Sequence, residues 1–259
     1  MLTPIARSTF VLLIAIAAAA CAPPADQNQT TPAAGNTTDP NALRVAVVTG
    51  GHAFDVVNFH QLFRQLPGVD AYPQHIEHFA SSPDEVRDAY DAVVFYGMGR
   101  GVPVEEGAHF EGKPKAALER IVAQGQGVVV LHHALLAWEE WDFWNQLIGF
   151  DNRNFSYKEG LDLKIAVSDD AHPITKGLSD FDTHDEGYDL HGEYDGQGTV
   201  LLTTEHDNAM PEVAWAREQG DCRVFCLTLG HDQQAWANAG FREILRRGIA
   251  WSAGGDVAD

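Results

Sequence analysis

Basic residues are scarce in this sequence. It has 17 Lys and Arg against 37 Asp and Glu, which gives a formal net charge of −20. A chain this acidic repels the phosphate backbone of nucleic acids, and it is equally unsuited to an anionic membrane surface. We therefore expect no nucleic-acid partner. The charge is compatible with a small neutral ligand or a bound cation, and it indicates no particular oligomeric state.

Cysteine is also scarce, with three residues in a chain of 259. Two of them, Cys222 and Cys226, lie in a segment with the composition of a strand. Four residues along a strand span roughly 13 Å, whereas the Cα atoms of a disulfide lie within about 7 Å of each other. We predict that both are free thiols, not a disulfide or a metal-binding pair.

Several catalytic and nucleotide-binding motifs are missing. The sequence has no G-x-S-x-G turn for a serine nucleophile, no Walker loop, and no G-x-G-x-x-G after a strand. The run from Gly97 to Gly101 only loosely resembles a glycine loop, and nothing around it indicates nucleotide binding.

The N-terminal segment has the pattern of a secretory signal. Ser8–Ala20 is apolar and rich in alanine, is too short to span a bilayer, and is followed directly by Cys21. This arrangement resembles a bacterial lipoprotein signal, although Ala18 stands where such signals usually carry Leu. We expect residues 1–20 to be removed and Cys21 to be lipidated. The alternative is simple secretion with a free Cys21.

The signal is followed by a polar stretch and then by the folded domain. Residues 21–42 are rich in Pro, Thr, Gln and Asn and read as a flexible tether. Residues 43–254 have the length of a single domain, and residues 255–259 form a C-terminal tail. We therefore expect a protein of the bacterial cell envelope, facing the periplasm or the cell surface, whose only membrane contact is the lipid anchor.

Strand and helix patterns alternate over the first half of the domain. Short apolar runs that read as strands are Leu43–Thr49, a segment within Val69–Phe79, Ala92–Tyr96 and Val128–Leu131. Helical spacing lies between them, which predicts a mostly parallel sheet with helices on both faces, an α/β three-layer sandwich. Past Gly160, closely spaced strand patterns predict added antiparallel strands in the C-terminal half.

Histidines follow three of the predicted strands. His52 comes after the first strand, His132 after Val128–Leu131, and His231 after the strand that contains Cys226. The carboxyl ends of parallel strands share one edge of a sheet, where ligands bind. We predict a site for a divalent ion, preferably zinc, with His52, His132 and His231 as ligands. The alternative is that each is only a polar strand terminus.

His132 and His133 are adjacent in the sequence. On an extended backbone adjacent side chains point to opposite sides, so we expect only one of them to enter the site. His132 is chosen as a catalytic residue because His133 already leads into the following helix. His133 and Asp232 are assigned to substrate binding.

A second candidate segment is Thr183–Tyr188. In a strand, His184, Glu186 and Tyr188 would share one face, and a carboxylate beside a phenol can act as ligand, base or sugar-hydroxyl acceptor. Glu186 is therefore predicted as a metal ligand and catalytic group, and Tyr188 as catalytic. The alternative is a solvated edge strand.

Trp138, Trp141 and Trp144 recur every third residue. This spacing predicts one face of a helix packed on the core. The sharper alternative is a platform that stacks on a sugar ring, and Trp138 is assigned to substrate binding on that basis.

Several segments together resemble the ThuA-like (trehalose utilisation) family. They are VVTGGHAF, GVVVLHHA, HPITKGL, the segment from Asp185 to Tyr188, VAWAREQGDCRVFCLTLGHD and FREILRRGIAWSAG. The resemblance implies a flavodoxin-like, class I glutamine amidotransferase-like fold. It also implies that His132 stands on the turn where the amidotransferases carry their nucleophilic cysteine, so that glutaminase chemistry is lost.

The sequence departs from the family pattern at two places. The glycine-lysine-glycine before the late strand reads Gly220-Asp221-Cys222, and the segment after Gly149 lacks the expected second glycine and histidine. A ligand or substrate contact at that histidine is therefore not expected in this chain.

The resemblance links the chain to disaccharides, notably trehalose and its 3-keto derivatives. The first hypothesis is an envelope-anchored enzyme that isomerises or hydrolyses a keto-disaccharide, using a metal ion or histidine. The second is a non-catalytic carbohydrate-binding lipoprotein. A third, an amidotransferase-like hydrolase, is disfavoured because the turn lacks a thiol.

Overall fold

A computed structural model of the chain describes residues 39–103, 114–255 and 257. The predicted signal at 1–20, the lipidation site Cys21 and most of the predicted tether lie outside these residues. No helix within the described part of the chain is long and apolar enough to cross a membrane.

The described residues form nine strands, seven α-helices and one 3₁₀ helix. The strands are β1 (Leu43–Gly50), β2 (Val69–His75), β3 (Ala92–Gly97), β4 (Gly127–Leu131), β5 (Phe155–Val167), β6 (Phe181–Leu190), β7 (Thr199–Thr203), β8 (Glu212–Gln219) and β9 (Cys222–Leu227). The α-helices are α1 (Val56–Arg64), α2 (Ile76–Ser81), α3 (Asp84–Arg87), α4 (Pro114–Ala123), α5 (Asp142–Ile148), α6 (Gln233–Ala237) and α7 (Ala239–Ser252), and the 3₁₀ helix is His132–Leu136.

All nine strands join one mixed sheet in the order β2-β1-β3-β4-β9-β8-β7-β5-β6. The four pairings from β2 to β9 in this order are parallel. The four pairings from β9 to β6 are antiparallel. The predicted α/β architecture, with a parallel half and added antiparallel strands, is confirmed. It places the carboxyl ends of β1, β3, β4 and β9 along one edge.

Strand β4 shows why the sheet has helices on both faces. Its residues are fully buried, and successive side chains enter opposite cores, as the twofold period of a strand requires. Val128 and Val130 pack with side chains from α2, α4 and α5. Val129 and Leu131 pack with side chains from α1 and α7.

The three tryptophans are buried but do not share one helix, so that interpretation was wrong. Only Trp144 lies within α5, and Trp141 is its N-cap. Trp138 precedes the helix, with a φ of 49° in the left-handed region. All three pack in the same core, at exposures of 8% or less. The spacing of the three tryptophans therefore correctly predicted that they are buried, but it wrongly predicted that they lie on one helix.

The two C-terminal cysteines behave as predicted. Cys222 and Cys226 are the first and fifth residues of β9, are buried, and form no disulfide. Burial raises the pKa of the Cys222 thiol to about 12.

Candidate functional site

Two histidines meet where the parallel strands β4 and β9 end. Leu131 of β4 pairs with Leu227 of β9, so the turns that follow leave the sheet side by side. His132 follows β4 directly, and His231 follows β9 after a short turn. The Nε2 atom of His132 lies 3.3 Å from the Nδ1 atom of His231. The shared edge predicted from the sequence therefore brings the two imidazoles together.

His132 sits at a strained turn between strand and helix. Its φ of 53° lies in the left-handed region, which costs a non-glycine residue of order 1–3 kcal/mol and marks functional sites in many folds. The side chain is fully buried. Its Nδ1–H donates to the carbonyl oxygen of Thr228 at 2.7 Å, so Nε2 carries the free lone pair. The hydroxyl of Tyr188 donates to this Nε2 at 2.8 Å.

Glu186 completes a group of three donors. Its Oε2 lies 3.4 Å from Nδ1 of His231, and its Oε1 lies 3.8 Å from Nε2 of His132. A tetrahedral zinc site with bonds of about 2.0–2.1 Å has ligand–ligand distances of about 3.3–3.4 Å. The contact between the two imidazoles matches such an edge, whereas the two contacts of Glu186 use different carboxylate oxygens. With one ligand atom from each side chain, the three atoms lie within 4.8 Å of one another, so two imidazoles and one carboxylate could hold a divalent ion.

Burial controls the protonation of this group. It lowers the pKa of His132 well below the usual value, and the nearby His133 lowers it further, so His132 is neutral and can bind a metal or accept a proton. Burial raises the pKa of Glu186, while the charge of His231 opposes that rise. Burial and the charge of Glu186 raise the pKa of Tyr188 well above its usual value, which keeps the hydroxyl protonated.

Asp185 is a site residue that sequence reasoning missed. Its Oδ2 accepts the N–H of Gly230 at 2.7 Å, and its Oδ1 accepts the N–H groups of His231 at 3.0 Å and Glu186 at 2.8 Å. The carboxylate is 2% exposed, and burial raises its pKa to about 6. One side chain thus fixes the backbone on both sides of the donor group. The signal available in the sequence was its place directly before Glu186, a predicted site residue.

The profile of the ThuA family, described by the words trehalose utilisation, matches residues 44–252. This chain belongs to the ThuA family. The match spans all of the sheet except Leu43, the first residue of β1, and it includes all three donors of the site. No curated protein matches the sequence.

Solved structures agree with this assignment at the level of the fold. A ThuA-like protein of Parabacteroides merdae is 20% identical with a TM-score of 0.68, covering 84% of this chain and 92% of its own. A ThuA-like protein of Bacteroides uniformis is 15% identical with a TM-score of 0.63, covering 87% and 98%. The PurLQS structure of Thermotoga maritima is 12% identical with a TM-score of 0.52, covering 80% and 97%. The class I glutamine amidotransferase-like fold is confirmed.

In this ThuA-family chain, His132 belongs to the donor group, whereas His133 lines the cavity beside it. The backbone after β4 is a 3₁₀ helix, not extended, so the side-chain alternation of a strand does not apply to these two residues. His133 is buried and its Nε2–H donates to the carbonyl oxygen of Tyr96 at 3.2 Å. Its ring stacks on His52 with centroids 4.3 Å apart. His133 also lines the cavity of about 280 Å³ that contains Glu186 and His231.

His52 enters the same cavity but not the donor group. The described residues that could together hold an ion are His132, Glu186 and His231. His52 is exposed and lies against His133 instead. Its predicted role as a ligand therefore has no geometric support, although its position beside the site does.

Three other predicted residues lie elsewhere. His184 pairs with Asp162 at 2.8 Å and lines a separate cavity, so it does not share the surroundings of Glu186 and Tyr188. Asp232 caps α6, accepting the N–H of Gln234 at 2.7 Å. Trp138 lines a cavity beside Gly99, not the one that contains the donors. The substrate-binding roles assigned to Asp232 and Trp138 stay predictions.

Proposed function

We propose that this ThuA-family chain is an enzyme that acts on a keto-disaccharide at a divalent metal site held by His132, His231 and Glu186. The observation that carries the proposal is the convergence of three donor side chains, whose ligand atoms lie within 4.8 Å of one another, beside a cavity that Glu186 and His231 line. The family's link to trehalose utilisation supports a sugar as the substrate.

The surroundings of the donors suit metal binding better than structural packing. The hydrogen bond from His132 to Thr228 fixes the ring so that its lone pair faces Glu186 and His231. Outer hydrogen bonds of this kind orient metal-binding imidazoles in many proteins. Asp185 does the same for His231 through the backbone. A divalent ion held here would stabilise negative charge on a substrate carbonyl oxygen.

Tyr188 is the hydrogen-bond donor to the substrate oxygen in this proposal. Its raised pKa keeps the hydroxyl protonated, and the hydroxyl already lies 2.8 Å from Nε2 of His132. Isomerisation and hydrolysis of a keto-disaccharide both develop negative charge on a carbonyl or leaving-group oxygen, which a hydrogen bond from such a hydroxyl stabilises.

The test combines metal analysis with turnover. Purified mature protein should contain about one zinc or similar ion per chain, and it should convert 3-keto-trehalose while leaving trehalose unchanged. The His231→Ala variant should lose both properties. Wild-type protein that binds sugars but holds no metal and converts nothing would instead be a carbohydrate-binding protein.

We also propose that the domain is anchored to the bacterial envelope through Cys21. The apolar segment that ends at Cys21 and the polar tether after it support this location. Wild-type protein should partition into the membrane fraction. The Cys21→Ser variant should be released or remain an uncleaved precursor, and equal solubility of the two would contradict the anchor.

A further inference from the structure

The cavity around the donors has an aromatic wall that the chemistry proposed above does not use. Phe155 and Tyr157 of β5 both line it, with ring centroids 6.3 Å apart. Tyr157 is 59% exposed. The tryptophans that the sequence suggested as a sugar platform are buried, so Tyr157 offers the open aromatic face of this cavity.

The register of the sheet sets Tyr157 next to the reacting group. Tyr157 pairs directly with Tyr188 across the antiparallel strands β5 and β6. Directly opposite residues of such a pair project to the same face, with Cβ atoms about 4.5–5.5 Å apart. The hydroxyl of Tyr188 reaches Nε2 of His132, while Tyr157 stands one strand further out. Phe155 closes the gap between them, since its ring lies 6.2 Å from that of Tyr188.

Charged side chains border this aromatic wall. Arg100 and Glu159 both line the cavity and both are exposed. A bulge in β5 sets Glu159 and Gly160 opposite the single residue Glu186, and the φ of 70° at Gly160 accommodates it. An apolar ring face flanked by a carboxylate and a guanidinium is the chemistry that recognises a pyranose, whose C–H face is apolar and whose rim carries hydroxyls.

We propose that Tyr157, backed by Phe155, stacks on the non-reacting ring of a disaccharide, and that Arg100 and Glu159 bind its hydroxyl groups. The cavity then selects a disaccharide over a monosaccharide. The inference rests on the proposed function for the identity of the ligand as a sugar. It adds the subsite that determines how many rings the ligand has.

The test compares trehalose with glucose by titration calorimetry. Wild-type protein should bind trehalose about tenfold more tightly than glucose. Tyr157→Ala should abolish this difference, and Tyr157→Phe should keep it because the ring remains. Tyr72→Ala is the matched control, since Tyr72 is another exposed tyrosine, 43% exposed on β2, and should leave both affinities unchanged.

Turnover gives a second readout. For 3-keto-trehalose, Tyr157→Ala should raise KM about tenfold and leave kcat within about twofold, because the stacked ring does not react. A Tyr157→Ala variant that keeps the wild-type preference for trehalose, or wild-type protein that shows no such preference, overturns the subsite.

The two proposals fail in different ways. If Tyr157→Ala converts the keto sugar with an unchanged KM, the subsite is contradicted, whereas the proposed enzymatic function is not. A Tyr157-dependent preference for trehalose without any turnover of the keto sugar supports the subsite and contradicts the enzyme. Because Tyr157 is exposed, a loss of binding can be separated from misfolding by an unchanged Tm.

Discussion

Asp185 holds His231 in position through the backbone: its Oδ1 accepts the N–H of His231 at 3.0 Å. Its Oδ2 accepts the adjacent N–H of Gly230 at 2.7 Å. Both bonds stabilise the carboxylate form, yet burial dominates and raises the pKa to about 6. Asp185 thus positions the imidazole of His231 at the cost of burying its own charge near neutral pH.

This cost should appear in the pH dependence of stability. The pKa of Asp185 is about 6 in the folded chain and about 3.9 unfolded, so the folded state binds more protons between these values. Its contribution to the free energy of unfolding is fully present below about pH 4 and is lost as pH rises through about 6. Relative to Asp185→Asn, wild-type protein should lose up to about 3 kcal/mol between pH 4 and 7.

Urea unfolding of both proteins at several pH values measures this difference. Other titrating groups, including Glu186, are present in both and largely cancel. Parallel stability profiles for the two proteins would show that Asp185 does not titrate with a raised pKa.

A glycine in α7 tests the packing of the helix on the sheet. In an open helix, Gly→Ala stabilises by up to about 1 kcal/mol. At Gly248, however, an added Cβ would lie 2.1 Å from Cδ1 of the buried Phe225. We expect Gly248→Ala to destabilise by about 1–3 kcal/mol through overpacking. Chemical denaturation checks the sign, and adding Phe225→Leu should recover part of the loss.

The sequence predicted the fold because its strongest signals are local. The run Val128–Leu131 has the composition and length of a buried strand, and residues after parallel strands must share an edge. The meeting of His132 with His231 followed from these two facts. Glu186 and Tyr188 were found because alternation along a strand sets both on one face.

Other features depend on geometry that the sequence does not encode locally. The 3₁₀ helix after β4 lets the side chain of His133 line the cavity, whereas an extended backbone would point it away from the side of His132. The left-handed φ of Trp138 broke the apparent helix. Asp185 was missed because its three partners are backbone N–H groups, two of them more than 40 residues away. Tyr157 lies in the part of β5 before Gly160, which carried no strand signal.

Removal of the Tyr188 hydroxyl should separate chemistry from binding. Tyr188→Phe keeps the buried ring, and we expect it to keep the metal and the KM for 3-keto-trehalose. Its kcat should fall by roughly 10²–10³-fold, the usual contribution of one hydrogen-bond donor to a developing oxyanion. Steady-state kinetics with metal analysis provides the check. An unchanged kcat would remove Tyr188 from the reaction.

The Tyr188→Phe variant should also differ from wild-type protein in its free energy of unfolding, by an amount that depends on whether the metal is bound. With metal removed by a chelator, Nε2 of His132 loses the hydroxyl that donates to it and keeps only the longer 3.3 Å contact with Nδ1 of His231, so the loss of this buried hydrogen bond should cost about 1 kcal/mol. With metal bound, Nε2 is occupied and the difference from wild type should shrink. Equal differences with and without chelator would indicate that His132 does not bind the ion.

Replacement of His132 tests the metal site directly, and the choice of substitute matters. At a φ of 53°, alanine would add backbone strain to the loss of a ligand, whereas asparagine tolerates the left-handed region. We therefore expect His132→Asn to fold. Loss of even an outer-shell partner costs 10–100-fold in metal affinity, so loss of this ligand should cost more than roughly 100-fold.

Thermal unfolding with and without added zinc reports this loss independently of catalysis. An ion that binds only the folded state raises stability by RT ln(1 + [L]/Kd), so zinc should raise the Tm of wild-type protein and leave that of His132→Asn unchanged. His184→Asn is the matched control because His184 lies outside the donor group, and it should respond to zinc as wild type does. If His132→Asn gained as much from zinc as His184→Asn, the ion would bind elsewhere. The cluster of His132, Glu186 and His231 would then serve proton transfer, with the neutral His132 as the base.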